Sequence, residues 1–200
     1  MKKDFERRFY KPQEMRLQAP EGGSTTLIGG HAAVFNQRSE DLGGFVEQIA
    51  PGAFKSSLER DVRALMNHNS DLILGRTSAG TLRLAEDDTG LNVEIDTPDT
   101  SYARDLLVSM ERGDVREMSF GFLTLQDHWE KVGDVWVRTL LEVELYEVSP
   151  VTFPAYGQTT ISARSMDRWK EAKAAGAQPP DPGIIHDEHR RLRLQLQRAS

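Results

Sequence analysis

The sequence predicts a mainly β domain with α-helical additions (α+β), in which antiparallel strands close, or nearly close, a sheet on itself. Short apolar segments recur between residues 62 and 96, punctuated by Gly75, Gly80 and Asp88-Thr89-Gly90. Within them Leu91, Val93 and Ile95 alternate with polar neighbours, the two-residue period of a half-buried strand. A meander of this kind favours closure, because closure removes the exposed edges of the sheet. An apolar fraction of 38%, with three Trp and eight Phe, is enough to build its core.

Two hundred residues suggest one domain with tails: an N-terminal arm over 1–24, a β domain over 25–164, and a tail over 165–200. The formal net charge of −6 argues against a general nucleic-acid binder, whose footprint is a basic patch or stripe. There is no cysteine, which excludes disulfides, thiolate metal sites and a cysteine nucleophile, and fits an intracellular protein. No apolar run approaches the roughly 18 residues of a membrane span. Nor does the charged start Met1 to Arg8 lead into the apolar core of a signal peptide.

Taken in order, the arm is charged and then rich in Pro and Gly, with one strand expected near 14–17. Residues 25–35 read as a strand pair with Gly29-Gly30 as a bend or bulge. His31 sits there, in a setting where a histidine is more often packed or solvated than catalytic. Residues 45–49 form another strand, followed by a short helix over 51–58 that starts at Pro51. The strand over 62–68 ends in polar residues, Asn67-His68-Asn69-Ser70-Asp71, and a strand end opening into a loop is where scaffolds place chemistry. Strands over 72–76, 80–85 and 91–96 follow.

The first long helix spans 101–112. Thr100 or Ser101 caps it, Ala103, Leu106, Leu107 and Met110 share one face, and Gly113 ends it. A strand over 115–122 comes next, then a hairpin of 127–131 and 135–141 around Gly133-Asp134, then an extended stretch over 141–153. Beyond Pro154 the pattern suggests an amphipathic helix over 165–175, a Pro/Gly linker over 178–183, and an Arg-rich tail for docking to a partner or for solvent.

The strand Val115-Arg116-Glu117-Met118-Ser119-Phe120-Gly121-Phe122 is the centre of the chain. Alternation sends Met118, Phe120 and Phe122 to one face and Glu117, Ser119 and Gly121 to the other. Gly121 leaves the Ser119 face bare, so another backbone or a substrate can come close. Without cysteine, nucleophilic catalysis needs a hydroxyl and a base to take its proton, with a third group to orient the base. Ser119, His68 and an acid from Leu141-Glu142-Val143-Glu144-Leu145-Tyr146-Glu147 are the candidates. If no bulge intervenes, Glu142 and Glu144 share one face and Glu147 takes the other. The histidines lack metalloprotease spacing, and no Gly-rich phosphate loop is present.

Several ordered segments together carry a resemblance. They are Gly30-His31-Ala32-Ala33-Val34-Phe35-Asn36, Ile49-Ala50-Pro51-Gly52-Ala53-Phe54, Leu65-Met66-Asn67-His68, Leu74-Gly75-Arg76 and Gly90-Leu91. The strand Val115 to Phe122 and the segment Leu145-Tyr146-Glu147-Val148-Ser149-Pro150-Val151-Thr152-Phe153-Pro154-Ala155 complete the set. In this order they resemble the tailed-phage prohead proteases, the serine proteases of capsid maturation, over roughly residues 14–164.

That resemblance implies a partly open antiparallel β-barrel flanked by helices, similar to the herpesvirus assemblin proteases. It places the nucleophile on Ser119 and the base on His68. The herpesvirus relatives use a second histidine as third member, and the 141–153 strand has none, so an acid takes that place. Glu144 is preferred because its strand face also bears Glu142; Glu147 is its rival because it lies inside the Glu-Val-Ser-Pro-Val motif. Backbone N–H groups are the expected oxyanion donors, with Arg116 a lesser candidate.

The implied function is a serine endopeptidase that cuts the scaffolding segment from the major capsid protein, and cuts itself, inside the procapsid. The setting is the cytoplasm of an infected or lysogenic bacterial host. No cofactor or metal is implied, and no nucleic acid or membrane partner. The portal protein is a further partner that fits, as is a homo-oligomer. Two alternatives stay open on the residues alone: a non-catalytic capsid-assembly or scaffolding module, and a general intracellular serine hydrolase.

Overall fold

A computed structural model describes residues 5–10, 15–18 and 26–153. The tail features expected over 165–200 lie outside the described residues. Within them the protein is mainly β with a single α-helix, and its strands form two sheets. The larger has six strands: β1 (Phe5–Tyr10), β9 (Glu117–Val132), β10 (Val135–Val151), β5 (Arg63–Met66) and β6 (Asn69–Arg76) in that order, with β4 (Phe45–Ile49) also paired to β10. The smaller orders β2 (Arg16–Gln18), β3 (Leu27–Val34), β8 (Gly90–Asp96) and β7 (Leu82–Glu86).

The strand over 115–122 and the hairpin arm over 127–131 are one continuous strand, β9, and the two segments after Gly133 are likewise one strand, β10. The two run antiparallel along almost their whole length, with register shifts that mark bulges. The sheet is mixed, not purely antiparallel as the meander suggested. β10 pairs in parallel with β4 over Trp136–Leu140, and again with β5 at Glu147 and Val148. Between those two pairings the ladder is bridged by the 3₁₀ turn Lys55–Ser57. The buried Ser57 hydroxyl donates to the Val143 carbonyl at 2.8 Å and accepts from the Leu145 N–H at 2.9 Å. One small side chain thus satisfies two backbone groups that no strand reaches.

Helix α1 (Ser101–Arg112) has the bounds its periodicity predicts, and it buries Ala103 and Leu106. Gly113 ends it at φ 79°, a left-handed conformation that a side chain would strain. Thr100 occupies the N-cap position, but its hydroxyl makes no capping bond.

The core draws Phe120, Phe122 and Met118 from β9, Val143, Leu145 and Val148 from β10, and Phe54, Ile28 and Val93 from the surrounding elements. A second, smaller cluster of Leu42, Phe45 and Trp129 sits towards the far end of the β9–β10 hairpin.

Beside this core lies a buried ionic network that the sequence reading did not anticipate. Arg8 donates to Glu47 at 2.8 Å and to Glu6 at 2.6 Å. Arg138 donates to Glu6 and Glu47 at 2.8 and 2.9 Å, to Asp127 at 2.8 Å and to the Thr124 hydroxyl at 2.9 Å. Glu6, Arg8, Glu47 and Arg138 are all buried. Burial alone would raise the Glu6 carboxyl, but Arg138 and Arg8 outweigh it and hold its pKa at about 2. Through this network β1, drawn from the stretch expected to be an arm, is tied to the body of the sheet.

Candidate active site

Ser119 lies on β9 opposite Ser149 of β10, and Gly121 lies opposite Glu147. Directly opposed residues of an antiparallel pair project to the same face, so Ser119, Gly121, Glu147 and Ser149 form one patch. Met118, Phe120 and Phe122 point the other way into the core. The alternation read in the sequence sets this arrangement.

Glu147 reaches that face because of a bulge. Leu145 pairs with Phe122 and Glu147 with Gly121, so two β10 steps match one on β9 and Tyr146 is the extra residue. Leu145 and Val148 stay in the core, while Glu144, Tyr146 and Glu147 all project outward. The bare position at Gly121 is used: a Cβ there would sit 2.5 Å from Glu147 Oε1 and 2.5 Å from the Phe5 ring. Any side chain at 121 would therefore displace the carboxylate.

His68 arrives from the β5–β6 turn. Asn67 and His68 have φ values of 52° and 59°, the left-handed pair of a tight hairpin turn. The turn is clamped to the end of β10. The Asn67 N–H donates to the Pro150 carbonyl at 3.0 Å, its Oδ1 accepts from the Thr152 N–H at 2.8 Å, and its Nδ2 donates to the Thr152 hydroxyl at 3.2 Å. So held, His68 Nδ1 lies 2.6 Å from Glu147 Oε1. The other carboxylate oxygen, Oε2, accepts from the buried Ser149 hydroxyl at 2.5 Å. Both Glu147 oxygens are thereby fixed, and the Arg7 guanidinium stands 3.9 Å away with its side chain half exposed.

The chemistry available follows from these bonds. A neutral imidazole whose Nδ1–H donates to Glu147 carries its lone pair on Nε2. That nitrogen is buried and has no hydrogen-bond partner among the described residues. A nitrogen so placed can accept a proton, and a carboxylate on the other ring nitrogen can stabilise the imidazolium that results. Ser119 is fully buried, and its hydroxyl donates to the Arg8 carbonyl of β1 at 3.0 Å.

Of the sequence candidates, His68 and Glu147 are brought into contact, and Ser119 is set two residues along the same face from Glu147's partner Gly121. Glu144, the acid preferred on strand alternation, is not brought to His68. It forms an ion pair with Arg60, and the bulge at Tyr146 is the physical reason why Glu147 faces His68. Arg116 donates to the Gly113 carbonyl at the end of α1 at 2.8 Å. His31 Nε2 bonds Asp87 Oδ2 at 2.7 Å, while Asp87 Oδ1 accepts from the Thr89 and Gly90 N–H groups, so that pair closes the β7–β8 turn. Among the described residues no group of His, Asp and Glu is placed to hold a metal. No helix among them is long and apolar enough to cross a membrane.

Two contributors escaped the sequence reading. Ser149 carried a signal, since it stands two residues after Glu147 and so shares its face. Asn67 carried a fainter one, as a residue that tolerates the left-handed conformation just before the histidine. Asn67→Gly keeps the turn but removes both side-chain bonds to Thr152. It should lower turnover about tenfold to a hundredfold through misplacement of His68, while costing only about 1 kcal/mol of stability. Steady-state turnover with thermal unfolding checks this, and an unchanged rate would remove the clamp from the site.

A family model described as caudovirus prohead serine protease matches residues 13–172. Among solved structures, the capsid assembly protease gp21 of bacteriophage T4 is similar at 10% identity and a TM-score of 0.47, covering 74% of this chain and 96% of that one. No curated protein matches the chain.

Proposed function

Because the chain belongs to the caudovirus prohead serine protease family, and is thus a serine protease of capsid maturation, we propose that Ser119 is its nucleophile, His68 its general base and Glu147 the carboxylate that orients His68. The observation that carries this reading is the Glu147–His68 bond of 2.6 Å with Nε2 unpartnered among the described residues, on the face that bears Ser119.

Ser119 Oγ attacks the carbonyl carbon of the scissile bond as its proton passes to His68 Nε2. The imidazolium, held by Glu147, then gives that proton to the leaving amine as the C–N bond breaks, and an acyl-enzyme forms. Water enters by the same route: Nε2 takes its proton, the new oxygen bonds the acyl carbon, and Ser119 Oγ recovers a proton as it leaves. Backbone N–H groups receive the oxyanion.

The substrate in this reading is the scaffolding segment of the major capsid protein, together with the protease itself. The place is the interior of the procapsid in the bacterial host cytoplasm. The mainly β architecture, with β9 and β10 as its longest strands, supports the finer view of a partly open, assemblin-like barrel. Co-expression with the neighbouring capsid gene, followed by intact mass of both products, tests it. One discrete truncation of the capsid protein is expected. An intact capsid protein alongside turnover of small esters or unrelated peptides would instead indicate a general hydrolase.

A further inference from the structure

A protease must admit a polypeptide, yet in this structure Ser119 is fully buried and hydrogen-bonded to a neighbouring strand of its own chain. β1 is the outermost strand of the larger sheet and pairs antiparallel with β9 from Phe5↔Leu123 to Tyr10↔Met118, with Phe9 opposite Ser119. Its Arg8 carbonyl oxygen accepts the Ser119 hydroxyl proton at 3.0 Å. That places the carbonyl of an extended peptide at the nucleophile, but in an unproductive way. Attack requires the Oγ lone pair on the carbonyl carbon and its proton on His68 Nε2, which has no partner among the described residues. Arg7 also sets a cation 3.9 Å from the Glu147 oxygen that holds His68, which offsets the negative charge an imidazolium would use.

We infer that the outer edge of β9, Met118 to Leu123, is the substrate's own binding site, where an extended polypeptide adds as an antiparallel strand, and that β1 occupies it as an internal pseudosubstrate. The inference rests on the catalytic reading of Ser119 and His68 given above.

Three features make β1 a removable occupant. As an edge strand it forms a backbone ladder with β9 only among the described residues, and the vacated edge is a ready template for another strand. Its buried charges leave as a joined pair of opposite sign, Glu6 with Arg8 at 2.6 Å. Behind them Arg138 keeps Glu47 at 2.9 Å and Asp127 at 2.8 Å, so neither side is left with a lone buried charge. Its outward side chain Phe5 rests over Gly121 and meets Tyr146 edge-on at 5.7 Å while 39% exposed, a packing that an incoming residue can replace.

The chain's lack of cysteine allows a reversible test in the full-length protein. Phe5 and Leu123 are directly opposed, at the separation a disulfide spans, so Phe5→Cys with Leu123→Cys locks β1 down when oxidised and frees it when reduced. Labelling of Ser119 by a fluorophosphonate and cleavage of capsid protein are followed in both states. Oxidation should slow both by a hundredfold or more relative to the reduced form of the same protein. Equal rates in the two states would overturn the inference. Labelling that depends on redox state without any cleavage of capsid protein upholds the strand's role and refutes the proposed substrate. Absence of labelling in the reduced form as well refutes Ser119 as nucleophile, and the strand proposal with it. Should the double variant fold poorly, Phe5→Ala loosens β1 at a half-exposed position and should speed labelling severalfold over the wild type, and an unchanged rate there would count as refutation.

Discussion

Ser119→Ala yields a folded protein that leaves its capsid substrate uncut. The change removes one hydroxyl from a buried strand position and creates almost no cavity. Its structural cost is the bond to the Arg8 carbonyl, about 1 kcal/mol for a single neutral hydrogen bond. Its chemical cost is far larger, because Oγ supplies the electrons of the new bond and the proton that His68 receives. Loss of a triad member lowers turnover by about four to six powers of ten and leaves only what binding and the oxyanion donors provide. Intact mass of the co-expressed capsid protein reads the first effect, and thermal unfolding of the purified variant reads the second. Undiminished processing by a folded Ser119→Ala protein would exclude Ser119 as the nucleophile.

The same strand shows how far the sequence leads and where it stops. The face of Ser119 was legible because alternation is a local property: Met118, Phe120 and Phe122 must share a side, and Gly121 must leave the other side open. Helix α1 was legible for a like reason, its apolar stripe and its terminal Gly113 both being local signals. His68 stood out as a polar strand end. What escaped depends on partners distant in sequence. The charged run Glu6-Arg7-Arg8 reads as a solvated arm until Glu47 and Arg138 are brought to it, after which two of the three residues are buried. The parallel pairing of β4 and β5 with β10 leaves no mark on any of the strands. Glu147 was misplaced by a single extra residue, since strand parity inverts at a bulge and nothing in Leu145-Tyr146-Glu147 announces one.

That bulge sets both acids on one face, yet substitution should separate them by orders of magnitude. Glu147→Gln preserves volume, and the Ser149 hydroxyl can still donate to the amide oxygen. The amide then turns its NH₂ towards His68 Nδ1, which must accept, so the proton moves to Nε2 and the base is lost. The equivalent loss of a triad carboxylate costs about four powers of ten in turnover, and the imidazolium also forfeits its counter-charge. Glu144→Gln instead breaks a partly exposed ion pair with Arg60, worth about 1 kcal/mol or less, and leaves the Glu147–His68 bond untouched. Turnover of the two variants on the same substrate, with thermal unfolding as control for the fold, should therefore show one collapsed rate and one close to wild type. The reverse pattern would return the role to Glu144, and two small effects would leave His68 without an essential acid.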